Sequence, residues 1–115
     1  MFRILVLTIY MLLPFVAIVA FDNGRVADNN IEVVVHRGAN WLAPENTVAS
    51  AYAALDNGAT WIEVDVRPSK DGVLYNMHDP SLNRTTNGRG LVADMMSADI
   101  DRLDAGSWFC TEFAG

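Results

Sequence analysis

The chain has 115 residues, 51% of them apolar and 19% charged, which is ordinary globular composition and excludes a long disordered or low-complexity tract. Its net charge is −6, with no run of Lys or Arg. A nucleic-acid partner gripped through many phosphates is therefore disfavoured, while a small anion bound at one local site is not.

The first segment in chain order is Ile4 to Ala20, nearly all apolar, with Arg3 as the only charge before it and Asp22-Asn23-Gly24-Arg25 directly after. This is a charged n-region followed by an apolar h-region. The run is shorter than the ~20 residues that cross a bilayer comfortably, and Pro14 interrupts it. A cleaved signal peptide over residues 1–20 is expected ahead of an uncleaved anchor, with Ala17 and Ala20 as candidate small residues near the junction. The expected location is extracytoplasmic, periplasmic or secreted, with membrane contact only through this segment if it is retained. Residues 21–30 are rich in Asn, Asp and Gly and read as a linker. Residues 31–115 remain for the folded part, enough for one core at most.

Ile31 to Val35 is a short β-branched run, expected as a strand buried on both faces and ending in His36-Arg37. Thr47 is a plausible N-cap for a helix over Val48 to Asp56, in which Val48, Ala51, Tyr52 and Leu55 share a face and Gly58 supplies the left-handed C-terminal residue. Trp61 to Val66 is a second buried strand. Pro68 to Gly72 is a turn, and Val73 to Met77 is a third strand, ending in His78-Asp79. Pro80 to Gly90 reads as a loop, and Ser97 as the cap of a short helix through Leu103. Strand, helix and strand in that order predict a parallel βαβ unit. The single cysteine, Cys110, cannot form an internal disulfide, and the two histidines lack zinc-finger spacing.

Chemistry concentrates at the strand ends. Glu63 and Asp65 are two apart on a strand, so both carboxylates project to one face, with Val64 and Val66 on the other. Two carboxylates held so close repel unless a cation lies between them, and oxygen-only ligation suits Mg²⁺ or Ca²⁺. An exposed edge-strand face is the plain alternative, against which the apolar neighbours Trp61, Ile62, Val64 and Val66 argue. His36 and His78 each follow an apolar strand and can serve as general acid or base. Arg37 offers planar donors suited to phosphate oxygens, or a salt bridge to Glu45. Phosphodiester hydrolysis needs such a set: charge stabilisation, one base for the nucleophile and one acid for the leaving oxygen.

The ordered motifs His36-Arg37-Gly38, Pro44-Glu45-Asn46-Thr47, Glu63-Val64-Asp65, Asp71-Gly72, His78-Asp79 and Arg84-Thr85-Thr86-Asn87-Gly88 closely resemble the glycerophosphodiester phosphodiesterase family. So do Leu103 to Phe109 and the closing Glu112 to Gly115, and the resemblance runs from about Val34 onward. It implies a TIM-type (β/α)8 barrel that hydrolyses small glycerophosphodiesters to glycerol 3-phosphate and an alcohol with a divalent cation, Ca²⁺ or Mg²⁺. On that likeness His36 and His78 match the acid–base pair, Arg37 the phosphate-contacting arginine, and Glu63 and Asp65 two metal ligands. Glu45 matches a motif glutamate that binds substrate or supports the ligands. No residue here matches the family's third acidic ligand. A barrel of this type needs roughly 250 residues, so residues 31–115 are expected to be a partial catalytic domain of about three strands, with little activity unaided. The alternatives are a phospholipase D-like enzyme acting on intact lipids, and a non-catalytic fragment or binding module. A nuclease is disfavoured by the acidic balance.

Overall fold

The computed structural model describes residues 15–20 and 32–115. Four strands form one sheet: β1 (Phe15–Ala20), β2 (Val34–His36), β3 (Trp61–Pro68) and β4 (Leu74–Asn76). Helix α1 (Val48–Asp56) connects β2 to β3, and a single-turn helix α2 (Ser97–Ile100) lies after the long loop that follows β4. Residues 1–14, the linker at 21–30 and Ile31, the first residue of the expected strand, lie outside the described residues.

β2 and β3 pair in parallel, with His36 opposite Glu63, as a right-length helical crossover allows. The α1 start is a capping box. Thr47 Oγ1 accepts from Ser50 N and Ser50 Oγ accepts from Thr47 N, both at 3.2 Å, an arrangement contributing about 1 kcal/mol. Gly58, at φ 87°, ends the helix in the left-handed region as expected.

The third run departs from the parallel arrangement expected for a barrel strand. β4 pairs antiparallel to β3, with Val66 opposite Asn76 and Pro68 opposite Leu74. The reason is the connection: Ser69 N donates to Val73 O at 2.8 Å and closes a tight hairpin, whereas a parallel return needs a dozen or more residues. Val66 partners both Asn76 and Phe15, so β4 and β1 lie on opposite edges of β3, and β4 shares its edge with β2. Part of the apolar segment read as a signal or anchor thus forms β1, antiparallel along β3 from Trp61 to Val66.

Four other expectations change. Val33 and Val34 are more than half exposed, so β2 is not buried on both faces. The buried face of α1 is Ser50 and Ala54, with Ala51 and Leu55 alongside, while Val48 and Tyr52 are exposed. Small residues sit inside because α1 lies close to the chain at Gly38. There an added Cβ would approach Ser50 Oγ to 2.4 Å, and φ is +75°. Ser97 is the first residue of α2 and makes no side-chain cap, because its hydroxyl donates to Asp71 instead, and α2 ends at Ile100 rather than at Leu103.

Apolar burial is also split in two rather than gathered in one core. Ala39, Ala54, Ala59 and Ile62 pack between α1 and the sheet. Met77, Leu82, Val92 and Ile100 pack beneath the loop after β4, in which Leu82 is wholly buried. That loop is held by an isolated bridge between Ser81 and Leu91 and so forms a compact unit with its own apolar centre.

Candidate active site

Alternation along β3 decides which side chains meet. Ile62 and Val64 face the α1 cluster, and Glu63, Asp65 and Arg67 project to the other face. The two remaining motifs reach this strip along one edge of β3 from opposite directions. β2 runs up to Glu63, where Arg37 N donates to Glu63 O at 2.9 Å; β4 runs back down to Asp65, where Met77 N donates to Asp65 O at 2.9 Å. The antiparallel hairpin therefore returns His78 to the level of the two carboxylates.

Past β2 the backbone turns sharply. Arg37 has φ 58° and Gly38 φ 75°, and Asn46, also at φ 58°, is tied to Arg37 by Asn46 N donating to Arg37 O at 3.0 Å. Left-handed non-glycine residues cost free energy and persist where neighbours hold them. Asn46 is held by a reciprocal pair: its Nδ2 donates to Asp65 Oδ2 and its Oδ1 accepts from Asp65 N, both at 3.1 Å. The turn directs Arg37 inward. Its Nη1 donates to Glu45 Oε1 at 3.1 Å, and its backbone N lies 3.2 Å from Glu63 Oε2. Arg37 Nε is 3.1 Å from Asp65 Oδ2 yet is buried without a hydrogen-bond partner, so the two charges attract without directional alignment. His36 stays mostly exposed, its Nε2 3.9 Å from Glu63 Oε2.

A second network starts at His78. Arg67 Nε donates to the His78 carbonyl at 2.8 Å and fixes its backbone, while His78 Nδ1 lies 2.8 Å from Asp79 Oδ1. Arg84 Nε and Nη2 donate to Asp79, at 2.9 and 3.0 Å. The same guanidinium donates to Glu45 through Nη1 at 2.8 Å and Nη2 at 2.7 Å. Arg84, foremost, and then His78 hold the Asp79 carboxyl far below its usual range. Hydrogen bonds from Arg84 likewise lower Glu45, against the opposing effect of burial, with Arg37 adding to the lowering.

The structure thus gathers His36, Arg37, Glu45, Glu63 and Asp65 around one strip of β3 and links His78 to Glu45 through Asp79 and Arg84. Asn46, Asp79 and Arg84 are site residues to which residue-by-residue reasoning gave no role; each stands inside a quoted motif, which was the available signal. Glu63 and Asp65 supply hard oxygen donors of the kind Mg²⁺ or Ca²⁺ takes. They fit part of the six or more oxygen positions such an ion prefers; among the described residues no group of three His, Cys, Asp or Glu is placed to hold a metal. An open groove of about 620 Å³ runs from His36 and Gly38 along β2, past Trp41. It lies beside the carboxylates rather than over them.

Residues 36–115 match the model of the glycerophosphoryl diester phosphodiesterase family. The glycerophosphodiester phosphodiesterase of Bacillus subtilis is 47% identical over 90 residues, covering 78% of this chain and 31% of that protein. A crystal structure of a glycerophosphodiester phosphodiesterase from Agrobacterium tumefaciens superposes with a TM-score of 0.72 at 60% identity, over 73% of this chain and 36% of that one. A phosphodiesterase from Oleispira antarctica, in complex with the product sn-glycerol-3-phosphate, superposes with a TM-score of 0.70 at 44% identity, over 73% of this chain and 34% of that one. The chain spans about a third of the length of these relatives. Its α/β architecture is a portion of the TIM-type barrel, and the chain belongs to the glycerophosphoryl diester phosphodiesterase family.

Proposed function

We propose that this chain contributes the acid–base pair, the phosphate-binding arginine and two metal-ligand carboxylates to an enzyme that hydrolyses glycerophosphodiesters to glycerol 3-phosphate and an alcohol. The observation that supports it is the convergence of β2 and β4 on Glu63–Asp65, which draws two histidine-bearing strand ends toward one pair of carboxylates. The Oleispira relative, with sn-glycerol-3-phosphate bound, supports the class of product.

In this proposal Glu63 and Asp65 hold a divalent cation, Ca²⁺ or Mg²⁺, which when bound supplies positive charge to the phosphoryl oxygens. Arg37 supplies further fixed charge beside it, paired with Asp65 and Glu45. One histidine takes the proton of the attacking nucleophile and the other gives a proton to the departing alcohol oxygen, so the net reaction consumes one water. Both imidazoles are accessible for this, with side chains 65% exposed at His36 and 45% at His78. Glu45 keeps Arg37 and Arg84 in place through its two oxygens.

The test, on the chain joined to the barrel strands of a relative, is an assay of glycerophosphocholine against an intact lysolipid, with Ca²⁺ or Mg²⁺ added and then removed by chelator. Release of glycerol 3-phosphate that stops on chelation is the expected result. Preference for the lysolipid would replace the proposal with a phospholipase D-like activity, and chelator-insensitive turnover would remove the metal from it.

A further inference from the structure

Arg84 is the most heavily engaged side chain near the site, yet the proposed reaction uses it nowhere. A guanidinium has five N–H donors in a planar fork. Arg84 makes four hydrogen bonds to two carboxylates, at 2.9 and 3.0 Å to Asp79 and at 2.8 and 2.7 Å to Glu45. Little donor capacity is left for a phosphate, so its role is exercised through those carboxylates.

Asp79 is the link. Its Oδ1 lies 2.8 Å from His78 Nδ1, and an ionised carboxylate only accepts, so Nδ1 must carry the hydrogen. The other ring nitrogen, Nε2, is then the one with a lone pair in the neutral imidazole. Asp79 is the residue next to His78 and belongs to a loop; without a second hold its carboxylate is free to rotate toward water. Arg84 provides that hold by a two-point contact, and Glu45, itself gripped by Arg37 at 3.1 Å, anchors the guanidinium from the far side.

We propose that Arg84 is the positioning residue of His78: by clamping Asp79 and Glu45 together it fixes the Nδ1–H tautomer and leaves Nε2 as the atom that exchanges the proton. The proposal deepens the acid–base role assigned above and rests on it for its catalytic meaning. A plain clip between two loops would hold the fold equally well without selecting a tautomer.

The experiment is nitrogen-15 NMR of the chain labelled at histidine, at alkaline pH, with His78 signals identified by elimination in a His36→Gln variant. In the parent chain, His78 Nδ1 is expected at the protonated-nitrogen position and Nε2 at the lone-pair position. Arg84→Ala is expected to mix the two tautomers. Should that variant not fold, Arg84→Lys carries the test: it keeps the stem and the charge, but one ammonium cannot span both carboxylates with a fork. Unchanged His78 signals in a folded variant overturn the proposal. In enzyme that turns over, the same substitutions should lower kcat roughly 10- to 100-fold at nearly constant KM, the size expected for misplacement by about 1 Å. No hydrolysis by the parent chain joined to the barrel strands of a relative, together with a tautomer shift, would count against the proposed function and leave the positioning role standing. Hydrolysis with no tautomer shift would do the reverse.

Discussion

Single residues in this site are held by few but specific contacts, which makes their replacement informative. Glu63→Ala or Asp65→Ala is expected to weaken binding of the divalent cation, whereas His36→Ala or His78→Ala should lower turnover about 10²- to 10⁴-fold with the cation still bound. Calorimetric titration with Ca²⁺ or Mg²⁺ beside steady-state kinetics checks this, and equal metal affinity in all four variants would undo the assignment. Asn46 carries a different expectation. Its side chain is buried, satisfies Asp65 at both N and Oδ2, and occupies φ 58°, where Asn is enriched among non-glycine residues. Asn46→Ala strands the Asp65 N–H and meets the same backbone strain, so about 2 kcal/mol of stability should be lost. Asn46→Gly loses the bonds but not the backbone fit, and urea unfolding should rank it between the parent and Ala. At this scale the two carboxylates, the two histidines and Arg37 were legible from alternation and strand ends. Arg84 was not, because nothing local connects position 84 to position 45.

Among the elements, α2 illustrates how a cap can come from elsewhere in the chain. Its first residue, Ser97, donates to Asp71 from backbone N at 2.9 Å and from Oγ at 2.6 Å, while Ser69 Oγ donates to the same carboxylate at 2.7 Å. These bonds, those from Ser97 first, hold the Asp71 carboxyl down at about 2 against an ordinary 3.8. A depressed folded-state value means that the contribution is fully present above the ordinary value and is lost as pH falls from there toward about 2. Thermal unfolding followed from about pH 6 down to about pH 2 should therefore show a steeper acid decline in the parent than in Asp71→Asn. Matching profiles would show that the Asp71 contacts add nothing to the fold. The positions of α1 and of β2 to β4 were readable from pattern: Thr47 does cap α1, and Gly58 does end it. Which face of α1 is buried was not, because Gly38 admits Ser50 so closely that the small residues turn inward in place of Val48 and Tyr52.

For the whole molecule, the apolar N-terminal segment poses the main question. We propose export, with cleavage between Ala17 and Ala27, on the strength of Arg3 followed by a short run broken by Pro14. Cleavage there would remove between half and all of β1, and the edge of β3 now paired with Phe15–Ala20 would lose some or all of that partner. N-terminal sequencing of the exported protein decides it, a mature chain still beginning at Met1 being the contrary result. A second expectation is low activity from these 115 residues by themselves, since the chain spans about a third of its relatives and two carboxylates fill only part of a cation's shell. Glycerophosphocholine hydrolysis should rise at least tenfold when the chain is joined to the barrel strands of a relative, because about 1 Å of misplacement can cost on the order of 10² in rate. Equal turnover by both forms would mean that the site is complete without them.

The amino-acid sequence by itself determined α1 and the strands β2, β3 and β4, the βαβ pairing of β2 with β3, and the side of β3 that carries Glu63 and Asp65, but not β1. All of these depend on periodicity and on turn chemistry within a few residues. The direction of β4 and the division of apolar packing into two clusters depended on long-range contacts. So did the clamp from Arg84 through Asp79 to His78 and through Glu45 to Arg37. These join positions as far apart as 45 and 84, and only the packed chain decides which distant carboxylate a guanidinium will meet.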